Sequence, residues 1–345
     1  MSYRITLQPS GNSYEVGGDT TLLKAGLDAG LALAYSCCAG MCRTCQGRVI
    51  SGSVEYNDGD PDALTEEMKA NGFALMCVAR PLSDCVIELI EISQQFEKPR
   101  ILPCKVKAIT RITSDVAIVI LRIPMNLPMR YLAGQYINIL LEDGRRRSYS
   151  IAVSPSREPA MDLEIHIRHL AGGAFTDRVF GTMKVGDKLQ IEGPLGTFYL
   201  REDNEKPIIF IASGTGFGPI KAIIEYVLRR GINRLINFYW GCRQKSDLYQ
   251  IELPQKWAED APNFSFVPVL SDASSSDFWT GRTGLVHQAV LSDFPDLSNH
   301  QVYACGAPAM VEAARRDFSN ICGLPADDFF ADEFLTEADR AKHFG

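Results

Sequence analysis

Residues 37–45 read Cys37-Cys38-Ala39-Gly40-Met41-Cys42-Arg43-Thr44-Cys45, and Cys77 follows at a distance. Cys37, Cys42 and Cys45 form C-x4-C-x2-C with a remote fourth member, a ligand spacing that holds a [2Fe–2S] cluster. Four thiolates must wrap two bridged irons, and three of them come from one loop that has to turn tightly. Ala39 and Gly40 are small enough for backbone N–H groups to approach the cluster sulfurs and tune the potential. Cys77, arriving from a different element, ties that loop to its domain. Zinc is the competing occupant, but zinc sites usually show two paired C-x2-C units and only one is present. Taking Cys38 as first ligand would give C-x3-C, which does not match. Cys85, Cys104 and Cys322 have no partner spacing and read as buried small hydrophobes.

The surrounding composition agrees with redox or metal use of the ten cysteines. A chain of 345 residues suggests two or three domains. Its start, Met1-Ser2-Tyr3-Arg4, lacks a signal-peptide core, so a disulfide framework is not expected and the protein is read as cytoplasmic. A net charge of −7 without a basic patch argues against nucleic acid and anionic membrane surfaces. Apolar runs such as Ile208–Ala212 are far too short to span a bilayer. Residues 1–95 hold twelve acidic against six basic side chains, which accounts for −6 of that charge. A solvated face explains this equally well as an acidic docking surface for a basic electron acceptor.

Two polar breaks, Gln94-Gln95-Phe96-Glu97-Lys98-Pro99-Arg100 and Arg201-Glu202-Asp203-Asn204-Glu205-Lys206-Pro207, divide the chain into 1–95, 101–203 and 206–345. The first segment opens on alternating residues (Tyr3, Ile5, Leu7), a strand signal, and predicts a short helix capped by Thr20 or Thr21 and stopped by Gly30. The second predicts strands at Val116–Ile123, Gln135–Leu141, Ser148–Ala152, Leu163–Arg168 and Lys188–Glu192, spaced as in an antiparallel barrel. In the third, strand Ile208–Ala212 leads through glycines into a helix near Pro219. Ile220, Ile223, Ile224, Val227 and Leu228 recur there as one buried face, Gly231 ends it, and strand Leu235–Trp240 follows. That βαβ order implies a parallel sheet.

Three motifs carry the remaining chemistry. Arg147-Ser148-Tyr149-Ser150 resembles the R-x-Y-S flavin motif of the ferredoxin–NADP reductase superfamily. By that resemblance Arg147 binds the FAD pyrophosphate, Tyr149 stacks on the isoalloxazine and Ser150 lies near its N5, roles that suit a bidentate guanidinium and an aromatic face. Gly172-Gly173-Ala174-Phe175-Thr176 is similar to the family's G-x-x-S/T pyrophosphate loop at Gly173 and Thr176, and Gly193-Pro194-Leu195-Gly196-Thr197-Phe198 to a structural turn. Ser213-Gly214-Thr215-Gly216-Phe217-Gly218-Pro219 resembles its G-T-G-x-x-P nucleotide loop through Gly214, Thr215, Gly216 and Pro219. Tyr303-Ala304-Cys305-Gly306-Ala307-Pro308 resembles its C-G-P-P turn, in which the equivalent of Cys305 faces the nicotinamide beside Gly306. Phe329-Phe330-Ala331-Asp332-Glu333-Phe334 resembles the C-terminal aromatic signature. There Phe334 would cover the flavin and Asp332 would stand near the hydride path.

The resemblance covers nearly the whole chain. It implies a multidomain α+β and α/β protein with a β-grasp ferredoxin, an antiparallel β-barrel flavin domain and a Rossmann-like parallel-sheet nucleotide domain. The group most resembled is that of CDP-6-deoxy-3,4-glucoseen reductases, together with the reductase components of multicomponent oxygenases. The expected function is an NAD(P)H-dependent reductase, acting as a monomer, that feeds electrons through FAD and [2Fe–2S] to a redox partner protein, an oxygenase or dehydratase component. NADH is expected on resemblance. Arg243 and Lys245 leave NADPH open, because either could meet a 2′-phosphate that Asp247 would oppose. A nucleotide-sensing module without turnover is the alternative.

Overall fold

The computed structural model describes residues 2–57, 59–92, 97–156, 158–275 and 278–336. Two compact units divide it, one of Met1–Phe96 with Asp332–Gly345, the other of Glu97–Ala331.

In the first unit the alternation at Tyr3, Ile5 and Leu7 builds β1 (Ser2–Gln8), which hairpins onto β2 (Ser13–Gly17). Helix α1 (Leu22–Asp28) follows, and its cap is Thr21, whose hydroxyl accepts from the Lys24 N–H at 3.4 Å. Strands β3 (Gln46–Ser51) and β4 (Val54–Tyr56), helix α2 (Glu66–Ala70), then β5 (Phe73–Leu75), β6 (Ala79–Pro81) and β7 (Cys85–Glu88) complete it. The main sheet runs β2-β1-β7-β3-β5, with β1 and β7 parallel at its centre, and β4-β6 forms a separate pair. Leu22, Leu33, Leu75 and Ile87 fill its core.

The second unit begins with a strand that the polar composition had hidden. Of the expected linker, Gln94, Gln95 and Phe96 lie outside the described residues, while Arg100 opens β8 (Arg100–Arg111). Leu102, Cys104 and Val106 point inward at period two between exposed neighbours, so the segment is half-buried sheet despite its lysines and arginines. Strands β9 (Val116–Arg122), β10 (Tyr136–Leu140), β11 (Arg146–Ser150) and β12 (Asp162–Arg168), helix α3 (Ala174–Phe180) and β13 (Lys188–Leu195) follow. They form the antiparallel order β11-β10-β13-β8-β9-β12, and a bridge between Ile151 and Ile165 joins the two edges. That bridge closes the sheet into a barrel.

The parallel sheet contains β14 (Ile208–Ser213), β15 (Ile236–Cys242), β16 (Phe264–Leu270), β17 (Arg282–Thr283), β18 (Gln301–Gly306) and β19 (Phe329–Glu333), in the order β17-β16-β15-β14-β18-β19. Helices α4 (Phe217–Arg230), α5 (Glu252–Asp260), α6 (Val286–Asp293) and α7 (Pro308–Cys322) accompany it. The periodic apolar face of α4 is fully buried from Ile220 to Val227 at its core-facing positions, and Gly231 closes the helix in the left-handed conformation (φ 65°). From β14 the chain moves to β15 on one side and later returns to β18 on the other. The C-terminal end of β14 is therefore a switch point of the sheet, where α/β proteins bind ligands.

Ile165 is completely buried in the barrel core, whereas Ile101 on β8 is 57% exposed. Ile165→Ala should lower unfolding free energy by about 2–5 kcal/mol. Ile101→Ala should cost no more than about 0.5 kcal/mol. Thermal unfolding followed by circular dichroism checks both, and equal shifts would contradict the assignment of the barrel core.

Candidate cluster, flavin and nucleotide sites

The cysteine loop turns through three left-handed residues, Cys38 (φ 48°), Gly40 (φ 69°) and Arg43 (φ 58°). Two of them carry side chains, a conformation that costs energy and marks functional loops. Only glycine suits position 40, because a Cβ there would meet Val78 at 3.2 Å in addition to the backbone strain. The turn aims N–H groups inward. Ala39 and Cys42 each donate to the Cys37 sulfur at 3.4 Å, and Gly40 donates to the Cys77 sulfur at 3.4 Å.

The four sulfurs stand as two contacting pairs, Cys37 with Cys42 and Cys45 with Cys77. The contact with Cys42 holds the Cys37 thiol below its usual range. Contact with Cys37, then burial, pushes Cys42 up, and contact with Cys77, then burial, does the same to Cys45. Among the described residues no three Cys, His, Asp or Glu side chains are gathered as a single-ion site. Two thiol pairs with N–H donors on their sulfurs suit a binuclear cluster better than one zinc ion. Cys38 is exposed, none of the ten cysteines is in a disulfide, and Cys85, Cys104 and Cys322 are buried. Burial pushes the Cys104 thiol up to about 12, as expected for a packing residue.

In the second unit Arg147 and Tyr149 share one side of β11, paired with Ile139 and Ile137 of β10, while Ser150 is buried. Tyr149 packs on Phe175 of α3 with ring centres 5.4 Å apart. That contact joins the Arg147–Ser150 and Gly172–Thr176 motifs, both of which the resemblance assigns to FAD. The Thr176 hydroxyl donates to Leu170 O at 2.8 Å and accepts from Leu170 N–H at 3.2 Å, so it shapes the loop. A Cβ on Gly173 would lie 2.5 Å from that hydroxyl.

The nucleotide loop is locked to the turn after β18. Ala212 and Cys305 are parallel partners, and the Ala307 N–H donates to Ser213 Oγ at 2.8 Å. A Cβ on Gly216 would lie 2.3 Å from Cys305 O, and one on Gly306 2.3 Å from Ser213 Oγ. Gly214, Thr215, Gly216, Cys305 and Gly306 therefore meet at the sheet's switch point, with Pro219 in the first turn of α4. Trp240 supports the loop from β15 by donating to Gly214 O at 3.0 Å.

Sequence reasoning missed Arg168. At the end of β12 it lies 3.9 Å from the Cβ position of Gly214, with Asp115 and Asp247 at 3.5 and 3.8 Å. Its Nε and Nη2 atoms are buried without a hydrogen-bond partner among the described residues. Its side chain is 32% exposed and already faces two carboxylates, so it is a partly compensated cation that borders the glycine loop. No local motif signals it, because the proximity of Arg168 to Gly214 arises between two sheets. Asp332 and Phe334 belong to the first unit. Asp332 is buried and accepts from Ser36 Oγ at 2.6 Å, and Phe334, just past β19, is half-buried.

These sites define an iron–sulfur flavoprotein reductase. Residues 5–82 match the 2Fe-2S iron-sulfur cluster binding domain, residues 103–199 the oxidoreductase FAD-binding domain and residues 210–316 the oxidoreductase NAD-binding domain. The chain is 42% identical to the CDP-6-deoxy-L-threo-D-glycero-4-hexulose-3-dehydrase reductase of Yersinia pestis, over 97% of this chain and 99% of that protein. It is 35% identical to the phenol 2-monooxygenase reductase component of a Pseudomonas strain, over 99% of this chain and 97% of that protein. Among solved structures, a cytochrome P450 reductase from Amycolatopsis superposes with a TM-score of 0.78 at 32% identity, covering 97% of this chain and 99% of that one. The chain belongs to the family of single-polypeptide reductases that join these three domains, and it is an electron-transfer oxidoreductase.

Gly216→Ala drives a methyl group into Cys305 O and should separate the nucleotide loop from its partner turn. The expected result is at least a roughly tenfold fall in kcat/KM for NADH-dependent ferricyanide reduction with FAD content unchanged, the loss of about 1.4 kcal/mol of transition-state stabilisation. Steady-state kinetics alongside flavin quantification decide it, and an unaltered kcat/KM would contradict the tight approach.

Proposed function

We propose that Cys37, Cys42, Cys45 and Cys77 would hold a [2Fe–2S] cluster. The two contacting sulfur pairs within an N–H-lined loop carry this reading. Arg147, Tyr149, Ser150, Gly173 and Thr176 form the FAD site, in which Thr176 acts by shaping the loop. Gly214, Thr215, Gly216, Pro219, Cys305 and Gly306 form the nucleotide site, with Arg168 facing the pyrophosphate. On the motif resemblance, Phe334 covers the flavin and Asp332 stands near the hydride path. The corresponding domains span 1–95, 101–203 and 206–345.

When bound, the cofactors supply the redox chemistry: a hydride from the nicotinamide carries two electrons to FAD, and the cluster passes them on singly. The chain's share is position and environment. Arg147 would neutralise phosphate charge, Tyr149 would present an aromatic face, and the Gly216–Cys305 contact would border the nucleotide. The acceptor is a separate redox protein. Its identity as a sugar-nucleotide dehydrase component is favoured by the higher identity to the Yersinia reductase than to the phenol hydroxylase reductase. The protein is read as a cytoplasmic monomer using NADH. Among the described residues no helix is long and apolar enough to cross a membrane.

Cys42→Ser should abolish NADH-driven reduction of cytochrome c, which needs single electrons from the cluster. Ferricyanide reduction from the flavin should stay within about twofold of the parent. Equal loss of both activities in a variant that folds and retains FAD would overturn this division of labour, as would metal analysis of the parent protein showing zinc in place of iron.

A further inference from the structure

Lys221 lies on α4, the helix that the nucleotide loop opens, two residues beyond Pro219. It is 6% exposed, and a buried ammonium is tolerated only when its protons find acceptors. Three acceptors surround it: Ala152 O at 2.8 Å, Glu164 Oε1 at 3.1 Å and Glu225 Oε1 at 2.9 Å. Glu225 is on its own helix. Ala152 and Glu164 belong to the barrel, Ala152 two residues past Ser150 on the flavin strand and Glu164 four residues before Arg168 on β12.

Glu164 is itself held. His166 Nε2 is 3.0 Å from its Oε1, and His166 Nδ1 is 2.7 Å from the Tyr249 hydroxyl. The network assigns the tautomer: Nε2–H donates to the carboxylate and Nδ1 accepts from Tyr249. Burial pushes the Glu164 carboxyl up, but His166 and Lys221 outweigh it and keep the group below its ordinary range. The helix is also seated closely, since a Cβ on Gly218 would lie 3.3 Å from Ala152 Cβ.

A buried ion pair of this kind is weak support for stability, because apolar replacements often serve as well. What it supplies is a fixed distance with defined direction. Hydride transfer requires reacting atoms about 3–3.5 Å apart, and a displacement of about 1 Å can cost about a hundredfold in rate.

We infer that Lys221 is a positioning residue for hydride transfer, fixing the helix behind the nucleotide loop at a set spacing from flavin strand β11 through Ala152 O and Glu164. The inference rests on the assignment of β11 and the Ser213–Pro219 loop as flavin and nucleotide sites.

The test uses full-length protein carrying FAD and cluster, with anaerobic stopped-flow reduction by NADH. Lys221→Met removes the cation, and Lys221→Met/Glu164→Gln also removes the barrel carboxylate left behind, with Glu225 remaining on the helix itself, so that a folding defect can be separated from lost positioning. In the double variant the limiting rate of flavin reduction should fall about 10- to 100-fold. The dissociation constant for NADH and the FAD content should stay within about twofold, and the isotope effect with 4-deuterated NADH should rise as hydride transfer becomes limiting. Electron transfer from pre-reduced protein, freed of excess reductant, to cytochrome c should match the parent. A limiting rate within about twofold of the parent would overturn the inference, as would a loss confined to NADH affinity or FAD content. Failure of the underlying site assignment looks different: the parent protein's flavin would not bleach with NADH.

Discussion

The backbone of the nucleotide loop and that of the turn after β18 touch with no room for a single side-chain carbon between them. Gly216 and Gly306 each place a Cα where a Cβ would lie 2.3 Å from an atom of the opposite segment. This contact depends on the parallel register that sets Ala212 beside Cys305. The register brings two strand ends to the sheet's switch point, where N–H groups and a helix start can face a dinucleotide. Ser213 and Trp240 then hold the loop's two sides, through Ala307 N–H and Gly214 O.

Buried charge carries the next level of order. Arg234 is 3% exposed and donates to Lys206 O, Arg201 O and Gln301 Oε1. Asp328 receives Lys206 and Gln301, while the Arg201 guanidinium lies 3.7 Å from the Tyr199 ring centre and 4.5 Å from that of Phe330. Each of these arms ends on a partner, and a satisfied polar network rigidifies the core around it. It braces β18, and the stacking of Phe330 on Tyr303 braces the start of β19. The Lys221 cluster does the equivalent for α4 against the barrel. Ionic contacts thus appear where two apolar cores meet and dispersion alone would specify no direction.

The cluster loop solves the opposite problem. It has little regular structure, and its shape comes from left-handed residues and N–H···S contacts. Such a loop costs conformational energy that the surrounding β-grasp core must offset. A metal would take up these side chains as thiolates, so its binding would release protons and couple to folding of the loop.

Much of this was legible in residue order. Period-two and period-3.6 patterns located β1, the barrel strands and α4, since burial of one face imposes that repeat. The cysteine spacing and the short motifs named the chemistry, because ligands from one loop must be close in sequence. Strand β8 escaped notice since most of its outward positions, Arg100, Pro103, Lys105, Lys107 and Arg111, are charged or proline. Arg168, Trp240 and the Lys221–Glu164–His166–Tyr249 chain were also invisible. Apart from the Glu164–His166 link, their partners are 26 to 83 residues away, and no local pattern records which solvent-averse charge will meet which acceptor. Sequence alone therefore determined the domain order, the cofactor classes and the ligand set expected for each. Only tertiary structure decided how Tyr149 reaches Phe175, how Gly216 reaches Cys305, and which buried charges hold the nucleotide helix to the barrel, because those distances follow from sheet register and packing between elements far apart in the chain.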